Sequence, residues 1–382
     1  MIKLFLPAFF LISLSLVSCE LNKDVTVPAS QQEPEVETPS DFYRGADLSY
    51  VNEMEDCGAN YFDEQGTEKD PYQIFKDAKM DLVRVRLWHS PDWTDYSNFE
   101  DVKKTIARAK ALELSVLLDF HYSDDWADPQ KQLVPAAWLP VVNNTSVLGD
   151  SVYNYTFRVL EELNQEGLLP EFVQIGNETN IEILQDPNGN YEQINWTRNA
   201  ALINKGLKAL RDAAAQFDQK IESFLHIAQP ENALWWFDEA RQNGVTDFDW
   251  IGISYYPKWS NYALNQLPNA IRALTETYNK PLMVVETAYP FTLNNKDNAG
   301  NILGQDAAIP GYEISPQGQY DYLKMLEEKI EEGGGSGLIY WEPAWVSTSC
   351  STRWGQGSHW DNATLFDQNN RAHIGMQYFN GN

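Results

Sequence analysis

Val173-Gln174-Ile175-Gly176-Asn177-Glu178-Thr179-Asn180 is a short apolar run that drives straight into Asn-Glu. Runs of this kind, four to eight residues long and apolar throughout, read as strands of a parallel sheet buried on both faces. Glu178 then stands where a strand ends and a loop begins. Leu282-Met283-Val284-Val285-Glu286-Thr287 has the same form and also ends on a glutamate.

Working outward from these two runs, the pattern predicts eight strands. They lie near residues 42–48, 81–88, 115–121, 172–176, 223–228, 250–255, 282–286 and 337–341. Helical periodicity fills the intervals near 71–80, 98–112, 151–167, 197–217, 232–243, 267–278 and 317–332, with a final helix near 371–379. Strict alternation of strand and helix over about 340 residues predicts the α/β class and a single (β/α)8 TIM barrel. No glycine-rich dinucleotide fingerprint or phosphate loop follows any strand, which weighs against a doubly wound sheet.

The chain has 382 residues, 43% of them hydrophobic and 13% aromatic, which is ample for one large core. Its net charge of −27, from 28 basic and 55 acidic residues, excludes a nucleic-acid or anionic-membrane partner that would need basic patches. The start reads as an export signal, with Lys3 ahead of an apolar run from Leu4 to Val17. That run closes on Leu16-Val17-Ser18-Cys19, which resembles a bacterial lipobox with Cys19 as the lipidated residue. Residues 1–19 are thus expected to be a lipoprotein signal, 20–40 a flexible linker and 41–382 the catalytic domain. A lipid anchor and display at the outer-membrane surface follow. Cys57 and Cys350 remain, after the first and last strands, which are neighbours in a closed barrel; a disulfide and two separate thiols both stay open.

In such barrels the working groups stand at the carboxyl ends of the strands. Those ends supply Asp47, Arg86, His121, Asn177, Glu178, Tyr255, Glu286, Trp341 and Glu342. Two carboxylates launched from opposed buried strands suit glycoside hydrolysis, in which one protonates the leaving oxygen and the other attacks the anomeric carbon. Any single acidic residue is more often a solvated surface charge, but the end of a wholly apolar run is a poor place for one. No His/Cys cluster has zinc spacing and no Gly-x-Ser-x-Gly elbow is present.

Six stretches carry a resemblance to a known family. They are Arg84-Val85-Arg86-Leu87-Trp88, the run from Asp119 to Pro129, Gly176-Asn177-Glu178, Gly252-Ile253-Ser254-Tyr255-Tyr256-Pro257, Val285-Glu286-Thr287-Ala288-Tyr289-Pro290 and Tyr340-Trp341-Glu342-Pro343-Ala344-Trp345. Over residues 42–370 the chain resembles the endo-β-1,4-galactanases of glycoside hydrolase family 53, retaining enzymes of a (β/α)8 clan. The resemblance implies cleavage of internal β-1,4-D-galactosidic bonds in the (arabino)galactan side chains of pectin. It makes Glu178 the acid/base and Glu286 the nucleophile. Asn177 would bind the substrate 2-hydroxyl, Arg86 would hold Glu286 ionised, and His121 and Tyr255 would line the subsite of the cleaved sugar. Trp341 would be a sugar platform; Trp88, Trp126 and Trp138 are weaker ones, and Asp47 completes the substrate-binding set.

Two stretches depart from the family pattern, His89-Ser90-Pro91 and Thr179-Asn180-Ile181. Several bacterial members bind calcium beyond the seventh and eighth strands, and Asp297, Asn298 and Asn301 offer the oxygen ligands for such a structural ion, although Asp/Asn/Gly clusters also form plain turns. No cofactor is required for the chemistry, and a monomer is expected. The rival readings are the same mechanism on another β-1,4-glycan (mannan or glucan), or a non-catalytic surface protein that binds glycans.

Overall fold

Period-2 alternation in eight short strands puts one set of side chains inside a closed sheet and the other against helices. The computed structural model describes residues 42–381, and the export signal, Cys19 and the linker lie outside them. The strands are β1 (Tyr43–Asp47), β2 (Leu82–Leu87), β3 (Ser115–Phe120) and β4 (Phe172–Ile175), then β5 (Glu222–Ala228), β6 (Trp250–Ser254), β7 (Leu282–Thr287) and β8 (Gly337–Tyr340). All pair in parallel and in chain order, and β8 closes on β1. The expected barrel is the observed one.

Eight α-helices wrap it: α1 (Val51–Asp56), α2 (Pro71–Asp77), α3 (Phe99–Ala111), α4 (Thr145–Gln165), α5 (Trp196–Phe217), α6 (Pro230–Gln242), α7 (Leu267–Tyr278) and α8 (Pro316–Glu332). Side-chain caps set several of their starts. Asn144 accepts from the Val147 N–H, so α4 begins six residues before the expected position. Residues expected as a last helix form a 3-10 turn over Ile374–Asn380. Unforeseen were α1 and a small hairpin, β9 (Ser351–Thr352) with β10 (Gly355–Gln356).

The inward side chains form two layers. Tyr43, Leu82, Leu117, Phe172, Phe224, Trp250, Met283, Val285 and Ile339 plug the floor, with Phe224 and Trp250 stacked at 5.2 Å. Two residues further along β2, β3, β4 and β5 the same face turns polar, with Arg84, Asp119, Gln174 and His226 all buried, and Asp47 of β1 pairs level with Arg84. The apolar floor excludes water from beneath this polar layer, so charges there interact strongly. Cys57, just after α1, is bonded to Cys350 at the foot of the hairpin, with Cα atoms 5.8 Å apart.

Candidate active site

Glu178 leaves β4 through a strained corner. Gly176 has φ +86° and Glu178 φ +43°, the left-handed region that side chains disfavour. A Cβ on Gly176 would sit 2.6 Å from Thr179 Cγ2, so glycine is required there. The corner turns the Glu178 carboxyl back over the barrel, where Ser254 Oγ donates to its Oε1 at 2.6 Å.

Glu286 arrives by a different route. Met283 and Val285 face the lumen, so simple alternation would send Glu286 outward. The pairing register of β7 slips on both sides, between Ile253 and Ser254 on β6 and between Val284 and Thr287 towards β8. A slip of one residue re-aims the next side chain, and Glu286 is brought inward above Val285. Gly252 makes room: a Cβ there would press on Val285 at 3.3 Å.

Once inside, Glu286 Oε1 meets Arg84 Nη1 at 2.9 Å and its Oε2 accepts from the Tyr256 hydroxyl at 3.2 Å. Arg84 is also paired with Asp47 at 2.9 Å and Asp119 at 2.8 Å, and donates to Asn177 Oδ1 at 2.8 Å. A carboxylate oxygen of Glu178, one of Glu286 and a ring nitrogen of His226 lie within 4.8 Å of one another.

The two glutamates are electrically unequal. Burial raises Glu286 to about 7 while Arg84 pulls it back. Glu178 is pushed well above the ordinary carboxyl range, first by burial and then by the charge of Glu286, while the Ser254 hydrogen bond and the charge of Arg84 oppose this. When the pair holds one proton, it therefore resides on Glu178.

Residues 43–379 match the sequence profile of Glycosyl hydrolase family 53. The chain belongs to this family. It is 57% identical over 327 residues to an arabinogalactan endo-β-1,4-galactanase of Cellvibrio japonicus, covering 85% of this chain and 86% of that one. An endo-β-1,4-galactanase of Bacillus subtilis is 32% identical, with 89% and 85% covered. Among solved structures, the Ignisphaera aggregans GH53 catalytic domain superposes with a TM-score of 0.81 at 33% identity, over 91% of this chain and 98% of that one.

Within this family 53 barrel, several expected roles move to a neighbouring residue. Arg86 does not touch Glu286; its Nη1 is 2.5 Å from Glu342 Oε1, and its guanidinium lies over Tyr50 at 4.2 Å and Trp126 at 4.4 Å. It sits two residues nearer the mouth than Arg84, on the β8 side, where the buried Glu342 takes it. Tyr255 likewise points into the helix layer and donates to Tyr262 O at 3.0 Å, because Ser254 before it faces the lumen. Tyr256, after the strand ends, turns back to Glu286.

Trp88 and Trp138 are not platforms. Trp88 is 2% exposed, beneath Trp93 and Trp126, and Trp138 packs against His89 and Tyr155. Asp47 is also shut away from the cleft, with its oxygens on Arg84 and Ser49. Trp126 and Trp341 are partly exposed, 6.0 Å apart, and Trp341 packs edge-on against Trp360. His121 is held by Asp119 through Nε2 at 3.1 Å and accepts the Ala127 N–H through Nδ1. Asn177 gives one N–H to Ala127 O, which leaves its second for a ligand.

Sequence reasoning passed over Arg84, His226, Ser254 and Tyr256 as site residues. The alternation pattern places Arg84 and Ser254 on inward faces, but nothing in it tells which inward residue lies level with Glu286. It also missed the hairpin, which carries the exposed Trp354 across to Trp93, with Arg353 paired to Asp125 at 2.9 Å. Glu178, His226 and Glu286 could be grouped as metal ligands, but both nitrogens of His226 already face hydrogen-bond partners within the site.

Proposed function

We propose that this family 53 protein is an endo-acting β-1,4-galactanase that works with retention, Glu286 being the nucleophile and Glu178 the acid/base. One carboxyl oxygen of Glu178 lies within 4.8 Å of one of Glu286, and this proximity carries the reading. Retaining enzymes hold them about 5–5.5 Å apart, whereas inverting enzymes need about 6.5–9.5 Å to admit a water. In the first step Glu286 attacks the anomeric carbon, the glycosidic C–O bond breaks, and the proton of Glu178 goes to the departing oxygen. Arg84 and Tyr256 hold Glu286 ionised and aimed. Once Glu286 is esterified its charge is gone, the proton affinity of Glu178 falls, and Glu178 takes a proton from the water that attacks the same carbon. Glu286 is then released. Both proton transfers and the covalent bond are supplied by these side chains.

The galactan substrate is supported by the names of the relatives from Cellvibrio japonicus and Bacillus subtilis. The test is hydrolysis of linear β-1,4-galactan, galactomannan and β-glucan in parallel, with the product anomer followed by proton NMR. Galactan alone should be cut, giving the β-anomer first, and Glu178→Gln should abolish turnover while keeping binding. First release of the α-anomer would overturn retention, and cleavage of mannan or glucan instead would overturn the substrate.

The lipobox at Cys19 supports an exported lipoprotein at the outer-membrane surface. Cys19→Ala should release the protein from membranes. A structural calcium ion is also proposed. Asp297, Asp361 and Asn301 lie together, and the buried oxygens of Asn301 and Asp361 offer hard donors for a cation. Asn298 is exposed. Chelation should lower the unfolding temperature, and added calcium should restore it.

A further inference from the structure

We propose that Ser254, itself held by His226, is a positioning residue that engages one carboxyl oxygen of Glu178 and reserves the other for the glycosidic bond. This rests on the assignment of Glu178 above. Ser254 and His226 are inward residues of adjacent strands, both fully buried. Ser254 Oγ donates to Glu178 Oε1 at 2.6 Å and lies 2.9 Å from His226 Nε2. On the other side of the ring, Nδ1 faces the Glu178 N–H at 3.4 Å, the Gln174 amide at 3.2 Å and Asn177 Oδ1 at 3.0 Å. One imidazole thus braces both the backbone of Glu178 and, through Ser254, its side chain. No protein group among the described residues takes Glu178 Oε2, so that oxygen is left to carry the acid proton.

The chemistry requires this bracing because Glu178 must serve twice. A hydroxyl that donates to Oε1 favours the carboxylate, which is the form needed for the second step. It offsets part of the upward pressure on Glu178 from burial, Glu286 and Asp128; Arg84 acts in the same sense as Ser254, and Tyr256 also faces the carboxyl group. His226 stays neutral, since burial and then the charge of Arg84 oppose its protonation. A neutral ring neither competes for the acid proton nor adds a charge when Glu178 ionises.

The test is the pH profile of kcat/KM for galactan hydrolysis by wild type, Ser254→Ala, Ser254→Thr and Glu178→Gln. In Ser254→Ala the alkaline limb, set by Glu178, should move up by about one pH unit, the worth of a hydrogen bond to a charged group. Its kcat should fall about tenfold as the base step slows, and Thr should restore both. A folded Ser254→Ala with an unmoved limb would overturn the proposal, since a merely structural role leaves the limb in place. Persistence of the limb in Glu178→Gln would instead overturn the assignment of Glu178. Because Ser254→Ala leaves His226 Nε2 buried without its partner, a second measurement uses the wild-type protein. In nitrogen NMR of the five labelled histidines, His226 should hold one neutral tautomer from about pH 5 to pH 9. Titration of His226 within that range would overturn the proposal.

Discussion

Arg84 Nη1 lies 2.9 Å from Glu286 Oε1, and the same guanidinium also serves Asp47 and Asp119. One cation is shared among three carboxylates, so Glu286 is held by a group that two neighbours already claim. That explains how Glu286 can be paired and still be raised by burial. It also separates the roles of two arginines only two residues apart.

Arg84→Gln should lower kcat by at least about a hundredfold and move the acidic limb of the pH profile upward, because Glu286 loses the charge that favours its ionised form. Arg86→Gln should leave that limb unmoved. Its main effect should be on stability, about 3–5 kcal/mol, since Glu342 would remain buried without its partner. Urea unfolding and pH–rate profiles of both variants check the division.

Removing charge from the site should stabilise the protein in alkali. The folded-state proton affinity of Glu286 is raised, to about 7. A group raised in this way contributes stability that is fully present below its unfolded value near 4.5 and is lost as pH rises through about 7. Glu286→Gln should therefore be inactive yet more stable than wild type at pH 8, by on the order of 2 kcal/mol. The gain should disappear near pH 4.5. Thermal unfolding at the two pH values decides it.

The two adjacent tyrosines should respond in opposite ways. Tyr256→Phe removes the hydroxyl on Glu286 and should lower kcat about tenfold with little change in stability. Tyr255→Phe removes a hydrogen bond to Tyr262 O in the helix layer and should cost about 1 kcal/mol of stability with kcat nearly unchanged. Steady-state kinetics and denaturant unfolding of both variants supply the comparison.

Reduction of Cys57–Cys350, or Cys57→Ser, should lower stability by about 2–5 kcal/mol, because the bond joins positions 293 residues apart. The bond also anchors the hairpin that carries Arg353 and Trp354 to the cleft. KM for long galactan chains should therefore rise more than KM for short oligomers.

The sequence by itself determined the barrel. Eight apolar runs separated by helical periodicity leave parallel pairing as the way to bury both faces of each strand. It also marked Glu178 and Glu286, because a carboxylate at the end of such a run has no solvated surface to occupy. What only the tertiary structure decided is which neighbours meet these carboxylates. Arg84 rather than Arg86, and Tyr256 rather than Tyr255, reach Glu286 because height in the barrel depends on strand register. Period-2 alternation sets the face a side chain takes but not its height. The slip in β7 that turns Glu286 inward depends on the pairing of three strands and on the space left by Gly252. The bracing of Glu178 by Ser254 and His226 joins residues up to 76 positions apart. Contacts of that range come into being only when the sheet closes.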